Sequence, residues 1–226
     1  ATIGTLGIKL KTKTIKCSLT TPETVFLHRS LQKIKKQKID NVIIEASSHG
    51  LDQNRLDDVY FKAAIFTNLS QDHLDYHKTM RSYLKSKLLL FKKILNKKKF
   101  VIADSSIQEF SSIKKICKKR KLKLINITEI EKRLAKRIDL NLNKFQIKNL
   151  SMAIAAAKLN NLSEEKIFKS LIKIKNVSGR LELIRIFPNN IKVYVDFAHT
   201  PDALFKSINS LKSFCNSKLS LVFGCG

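Results

Sequence analysis

The sequence predicts an α/β fold with a mainly parallel sheet flanked by helices, and three observations carry that expectation. Short apolar runs of strand length recur along the chain, helix-period apolar patterns fall between them, and polar side chains sit at the carboxyl ends of the runs. Parallel strands read as nearly unbroken apolar runs because both faces are covered. Ligands of such sheets collect at the strands' carboxyl ends. Those ends carry Glu45, Ser47, Asn68 and Asp196.

Along the chain, Thr20-Thr21-Pro22-Glu23 comes first. Pro22 suits a first helical position, and the threonine hydroxyls suit capping or anion binding at the positive helix end. Residues 42–47 (Val-Ile-Ile-Glu-Ala-Ser) read as a buried strand broken by one carboxylate. Glu45 there is costly unless paired or bound to a cation such as Mg²⁺, which favours oxygen donors. Gln53 and Arg55 follow the Ser-Ser-His-Gly turn; they offer a grip on a carboxylate or phosphate, or else a surface loop. Residues 63–68 read as a second strand, ahead of Asp72-His73-Leu74-Asp75-Tyr76-His77. Three of the five histidines fall between His49 and His77, a concentration that composition does not explain. His73 and His77 would share a helical face, but the glutamate of HExxH is missing, which excludes a metalloprotease site.

A helix is expected over about 79–96, with Lys87 on its apolar side. From the residues alone Lys87 reads as a snorkelling side chain; neutralisation by a carboxylate or by carbon dioxide is the alternative. Strands are expected at 100–103 and 122–126, and helices at about 145–160 and from Ser163 through Ile174. A composition shift at 175–180 suggests a linker. A strand at 193–196, a helix from Pro201 through Leu211 and a strand at 219–223 complete the pattern. The chain opens in mid-pattern and stops straight after an apolar run, so it reads as a fragment.

Charge is lopsided, with 44 Lys and Arg against 18 Asp and Glu, formally +26. A basic face can bind nucleic acid by releasing counterions. Here the lysines spread over every expected helix without aromatic interleaving, which favours compositional bias; the field would still attract a nucleotide. Four scattered cysteines without metal spacing read as thiols in a reducing cytoplasm. No apolar run reaches the length of a membrane span.

Taken together, the motifs resemble the Mur ligase family. The matching stretches are Glu45 through Arg55, Phe66 through His77, Tyr83 through Lys87, Ser178 through Glu182, Val195 through Leu204 and Val222 through Gly226. Folate polyglutamylating relatives share the architecture but differ at Ser-Ser-His-Gly and Asp-His-Leu-Asp-Tyr-His. The resemblance implies a central ATPase domain over 1–176, incomplete at its N-terminus, and the start of a Rossmann-like C-terminal domain over 177–226. It implies a monomeric, cytoplasmic, ATP-dependent amide ligase of peptidoglycan synthesis. A diamino acid, meso-2,6-diaminopimelate ahead of L-lysine, would join UDP-N-acetylmuramoyl-L-alanyl-D-glutamate through an acyl phosphate.

By the same resemblance Glu45, His73 and a carbamylated Lys87 are Mg²⁺ ligands and the catalytic set. Thr20, Thr21, Ser47, Gln53 and Arg55 contact the muramoyl dipeptide. Asn149, Arg180 and Asp196 lie on the nucleotide side, with Asp196 on the ribose, and Gly224-Cys225-Gly226 lies near the phosphates or the interdomain cleft. Leu19, Ile102 and Gln146 stand where asparagines are usual. The Gly-rich phosphate loop would sit before Ala1, so the fragment alone is expected to be inactive. The rival readings are a lysine-adding or folate ligase and a non-catalytic basic nucleic-acid-binding domain.

Overall fold

The computed structural model describes residues 1–137, 143–174, 177–213, 215 and 217–224. The chain divides into two compact units, Ala1–Leu69 with His73–Arg133, and Ser70–Asp72 with Leu134–Gly226.

The first unit is α/β. Strands β1 (Thr2–Gly4), β2 (Gly7–Lys9), β3 (Thr14–Ile15) and β4 (Ile43–Ile44) form a sheet in the order β3-β2-β1-β4. β1 and β4 are parallel, with Ile3 opposite Ile44, while β1-β2-β3 is an antiparallel meander. Gly7 makes the meander possible at φ 84°, where an added Cβ would strike the Ile15 carbonyl. A second sheet, β5 (Ala63–Phe66), β6 (Phe100–Ala103) and β7 (Lys123–Asn126), is entirely parallel.

Helices α1 (Thr24–Lys36), α2 (Ser48–Asp52), α3 (Leu74–His77), α4 (Met80–Leu89) and α5 (Phe110–Arg120) connect these strands, and α6 (Thr128–Arg137) follows β7. The core joins both sheets to the helices, with Leu27, Phe91, Leu95, Val101 and Ile113 fully buried. Each such side chain contributes about 1.5–3 kcal/mol relative to exposure. Beyond α4 the ladder widens into a π-helical stretch, Leu90–Ile94, closed by the Leu95 amide donating to the Leu90 carbonyl at 2.9 Å.

In the second unit, α7 (Lys144–Leu159) and α8 (Glu164–Leu171) precede the hairpin β8 (Glu182–Ile186)–β9 (Lys192–Val195) and α9 (Pro201–Lys212). Asn143 caps α7 in a reciprocal box with Gln146, so the Gln146 side chain is spent on the helix start (2.9 and 3.0 Å). Ser163 caps α8 by accepting from the Lys166 amide.

Several expectations need correction. The strand expected over 42–47 shrinks to Ile43–Ile44, and Ile43 is 69% exposed. Pro22 is not a first-turn residue: α1 starts at Thr24 behind Glu23, which gives no side-chain cap. Val193–Val195 pairs antiparallel with β8 instead of joining a parallel set. Leu219–Phe223 forms no strand, and Val222 is 98% exposed. The expected linker residues Lys175 and Asn176, and with them the 176/177 boundary, lie outside the described residues, as do Cys225 and Gly226 of the terminal turn.

Candidate active site

Glu45 directly follows β4, with its amide bonded to the Ile3 carbonyl (2.9 Å). Its side chain is exposed, contrary to the buried carboxylate expected at this strand end. Glu45 Oε2 accepts from the Thr5 amide (3.1 Å) and the Thr5 hydroxyl (2.8 Å), and Thr5 Oγ1 lies 3.3 Å from Thr20 Oγ1. Thr5 thus ties Glu45 to Thr20. Gly4 supplies the room, because a Cβ there would lie 2.5 Å from Glu45 Oε1.

Thr21 is fully buried, and its hydroxyl donates to the Glu45 carbonyl (2.6 Å) while accepting from the Ser47 amide (2.9 Å). Neither threonine caps α1. Ser47 caps α2 instead, accepting from the Gly50 amide at 3.1 Å. Arg55 is buried beneath this loop, donating to the Thr21 carbonyl (2.9 Å) and to Gln53 Oε1, with Glu23 Oε1 at 3.5 Å. Gln53 Nε2 donates to the Tyr76 hydroxyl at 3.2 Å.

The histidines gather as the sequence suggested. His73 caps α3 in the left-handed conformation (φ 54°), which brings its ring to 5.0 Å from His49 and 5.8 Å from Tyr83. A left-handed histidine is uncommon and marks a constrained loop. The His49 ring also packs on Tyr76 at 4.2 Å. His77 is buried, bonds Ser48 Oγ (2.9 Å) and stacks on Tyr83 at 5.2 Å. Burial lowers both His49 and His77 below the usual histidine pKa; neighbouring His73 adds to this at His49, and His49 adds to it at His77. Lys87 is half-buried, with Nζ 5.3 Å from the Tyr83 ring centroid and 5.4 Å from that of Phe66, an arrangement more specific than snorkelling.

Eight of the expected residues therefore belong to one run of contacts. It leads from Thr20 through Thr5 to Glu45 and Thr21, and on to Ser47, Arg55 and Gln53. It then passes through Tyr76 and His49 to His73, Tyr83 and Lys87. Asn149, Arg180 and Asp196 belong to the second unit. Asn149 is an exposed position of α7. Arg180 stacks on Phe197 at 4.9 Å. Asp196 accepts from the Leu181 amide (2.8 Å), the Ala198 amide (2.9 Å) and the Ser207 hydroxyl (2.9 Å), so its carboxylate already pins the loops around β9.

The sequence assigns no site role to Thr5 or Asp52, and Tyr76 and Tyr83 enter it only as members of motifs. Tyr83 had a usable signal, since it lies four residues before Lys87 on one helix face; Thr5 had none. Among the described residues, no three His, Cys, Asp or Glu side chains come together to hold a metal ion. Also among them, no helix is long and apolar enough to cross a membrane.

An α/β unit with hydroxyl, carboxylate and imidazole groups on the loops after β1, β4 and β5, and a lysine on α4, has the layout in which α/β folds bind ligands at the carboxyl ends of their strands. The Mur ligase middle domain matches residues 1–165, and the Mur ligase glutamate ligase domain matches residues 179–226. The chain belongs to the Mur ligase family. It is 36% identical to the UDP-N-acetylmuramoyl-L-alanyl-D-glutamate–2,6-diaminopimelate ligase of Rickettsia bellii (strain RML369-C), over 100% of this chain and 52% of that protein. It is also 36% identical to the ligase of the same name from Aquifex aeolicus (strain VF5), over 99% and 49%. A solved structure with that name superposes with a TM-score of 0.74 at 25% identity, covering 100% of this chain and 50% of the other. MurF from Acinetobacter baumannii shares the fold, with a TM-score of 0.63 at 16% identity over 76% of this chain and 42% of that one. The chain spans about half the length of the curated relatives it matches.

Proposed function

We propose that the protein is an ATP-dependent ligase that joins meso-2,6-diaminopimelate to UDP-N-acetylmuramoyl-L-alanyl-D-glutamate in peptidoglycan synthesis. The observation that carries this reading is the unbroken run of contacts from Glu45 to Lys87. It links an anion-binding side, Thr20 with Ser47, Gln53 and Arg55, to a phosphate side formed by His73 and Lys87. The names of the relatives support diaminopimelate over lysine.

In this reading ATP phosphorylates the D-glutamyl side-chain carboxylate, releasing ADP. The diamino acid's amine then attacks the acyl phosphate, forming the amide and expelling phosphate. Such transfers require positioning and charge neutralisation more than covalent help. Arg55 holds the Thr20–Thr21 loop in shape, and Gln53 and Ser47 orient the peptide end. Thr21 acts as a positioning residue, since its hydroxyl is engaged on both sides. On the second unit, Asn149 and Arg180 are assigned to the nucleotide and Asp196 to its ribose.

Mg²⁺ is usually bound by one or two protein oxygens completed by substrate phosphates; of the three residues assigned to it, Glu45 supplies such an oxygen as it stands, while His73 offers a nitrogen. Glu45, His73 and Lys87 as a carbamate would hold it; an unmodified ammonium could not. When bound, Mg²⁺ neutralises phosphate charge. A division into a central domain over 1–176 and a C-terminal domain from 177 belongs to the same reading, as do a monomeric state and a cytoplasmic location.

The test is amide formation by the full-length protein supplied with ATP, Mg²⁺ and the muramoyl dipeptide, with diaminopimelate or lysine as acceptor. Product with diaminopimelate supports the assignment. Product with lysine alone reassigns the acceptor, and the absence of dipeptide-dependent ADP release rejects a ligase.

A further inference from the structure

We propose that Asp52 is a positioning residue that couples the peptide side of the site, Gln53 and Arg55, to its His73–Lys87 side. This inference rests on the function proposed above. Asp52 ends α2, and its two carboxylate oxygens serve two different elements. Oδ2 accepts from the Tyr76 hydroxyl of α3 at 3.0 Å, and Oδ1 accepts from the Ser86 hydroxyl of α4 at 3.0 Å.

Both partners adjoin groups assigned to the chemistry. Ser86 is buried and immediately precedes Lys87. The Tyr76 ring rests on His49 at 4.2 Å, and His49 meets the His73 ring at 5.0 Å. The same Tyr76 hydroxyl accepts from Gln53 Nε2 at 3.2 Å, which brings the residue next to Asp52 into the bridge. Ser86 has a second acceptor, the Ser82 carbonyl at 3.2 Å, but the charged carboxylate is the stronger partner for its single proton. Without Asp52, Ser86 falls back on its own helix, and its hydrogen bond from α4 to α2 is lost.

Asp52 is itself exposed, so its removal creates no cavity in the core, and an effect on the site can be separated from an effect on the fold. The Asp52→Asn side chain keeps the bridge: its oxygen accepts from Tyr76, and its amide donates to Ser86 Oγ while Ser86 donates to Ser82.

The experiment uses full-length protein and compares wild type with Asp52→Ala, Asp52→Asn, Ser86→Ala and Asp52→Ala/Ser86→Ala. Expected for Asp52→Ala is a kcat for dipeptide-dependent ADP release about tenfold lower, the size typical of removing a group that orients a ligand. KM for ATP and the melting temperature should stay close to wild type. Asp52→Asn should recover most of kcat, and the double variant should match Asp52→Ala, because Ser86 acts on the site through its bond to Asp52. Unchanged kcat in Asp52→Ala, or equal loss in Asp52→Ala and Asp52→Asn with lowered melting, overturns the proposal. NMR of histidine-labelled protein separates this from failure of the ligase reading. Asp52→Ala should shift the His49 and His73 ring signals even if the wild type releases no ADP, and unshifted rings would overturn the coupling on their own.

Discussion

Arg55 donates to the main-chain carbonyl of Thr21 at 2.9 Å across 34 residues of sequence, locking the Thr20–Thr21 loop onto the segment after α2. Arg55 is only 8% exposed, so an expected substrate grip doubles as a structural tie. Arg55→Ala should therefore cost stability, about 1–3 kcal/mol for the carbonyl left without its donor. It should also raise KM for the muramoyl dipeptide more than KM for ATP. Melting curves and steady-state kinetics on the same preparation check both; equal KM changes for the two ligands would confine Arg55 to the fold.

Two glycines should respond differently to alanine. A Cβ at Gly50 would lie 2.6 Å from Thr21 Cβ, inside a packed loop that cannot yield, so Gly50→Ala should lower stability by about 1–3 kcal/mol. A Cβ at Gly4 meets Cγ, Cδ and Oε1 of Glu45, with Oε1 at 2.5 Å, and that exposed side chain can rotate away. Gly4→Ala should melt near wild type yet lose activity by displacing the carboxylate. Urea denaturation paired with an activity assay distinguishes the two outcomes.

Burial raises the Cys117 thiol from its usual 9.0 to about 11. The folded state holds this proton more tightly than the unfolded chain. The associated stability is thus fully present below pH 9 and is lost as pH rises toward 11. At pH 8, thiol reagents should label the half-buried Cys17 while sparing Cys117 until denaturant is added. Mass spectrometry of the labelled peptides checks this, and prompt labelling of native Cys117 would contradict its burial.

Lys87 should carry a carbamate in the working enzyme. Lys87→Ala should lose activity and regain part of it with added short carboxylates, which supply the missing oxygen ligand. Lys87→Arg should stay inactive, because guanidinium keeps the charge but forms no such adduct. A carbamate signal from ¹³C-bicarbonate in wild type, absent from Lys87→Arg, is the direct check; a fully active Lys87→Arg enzyme would contradict it.

The parallel strands β5 and β6 were legible as apolar runs long enough to stand out, and β7 through Leu122, Leu124 and Ile125 around one lysine. β1, β2 and β3 were not, since at two or three residues each they depend on Gly7 and on pairing partners more than on periodicity. Val222 and Phe223 mimic a strand by composition alone; apolarity fixes burial only where something packs against it. In the site, Glu45, His73 and Lys87 were readable as functional types in motif positions. The ties holding them were not, because Thr5 and Asp52 act through partners 15 to 40 residues away that only the fold brings near. Thr21 looked like a substrate contact, yet its hydroxyl faces inward to Glu45 and Ser47 for the same reason.

The central claim is that His73 serves phosphoryl transfer within this network and does not merely pack against Tyr83. Dipeptide-dependent ADP release by the full-length His73→Ala protein tests it most directly. The rate should fall by about 100-fold or more with a melting temperature near wild type, the pattern of a lost metal ligand. A near-wild-type rate, or a loss fully explained by unfolding, would contradict it.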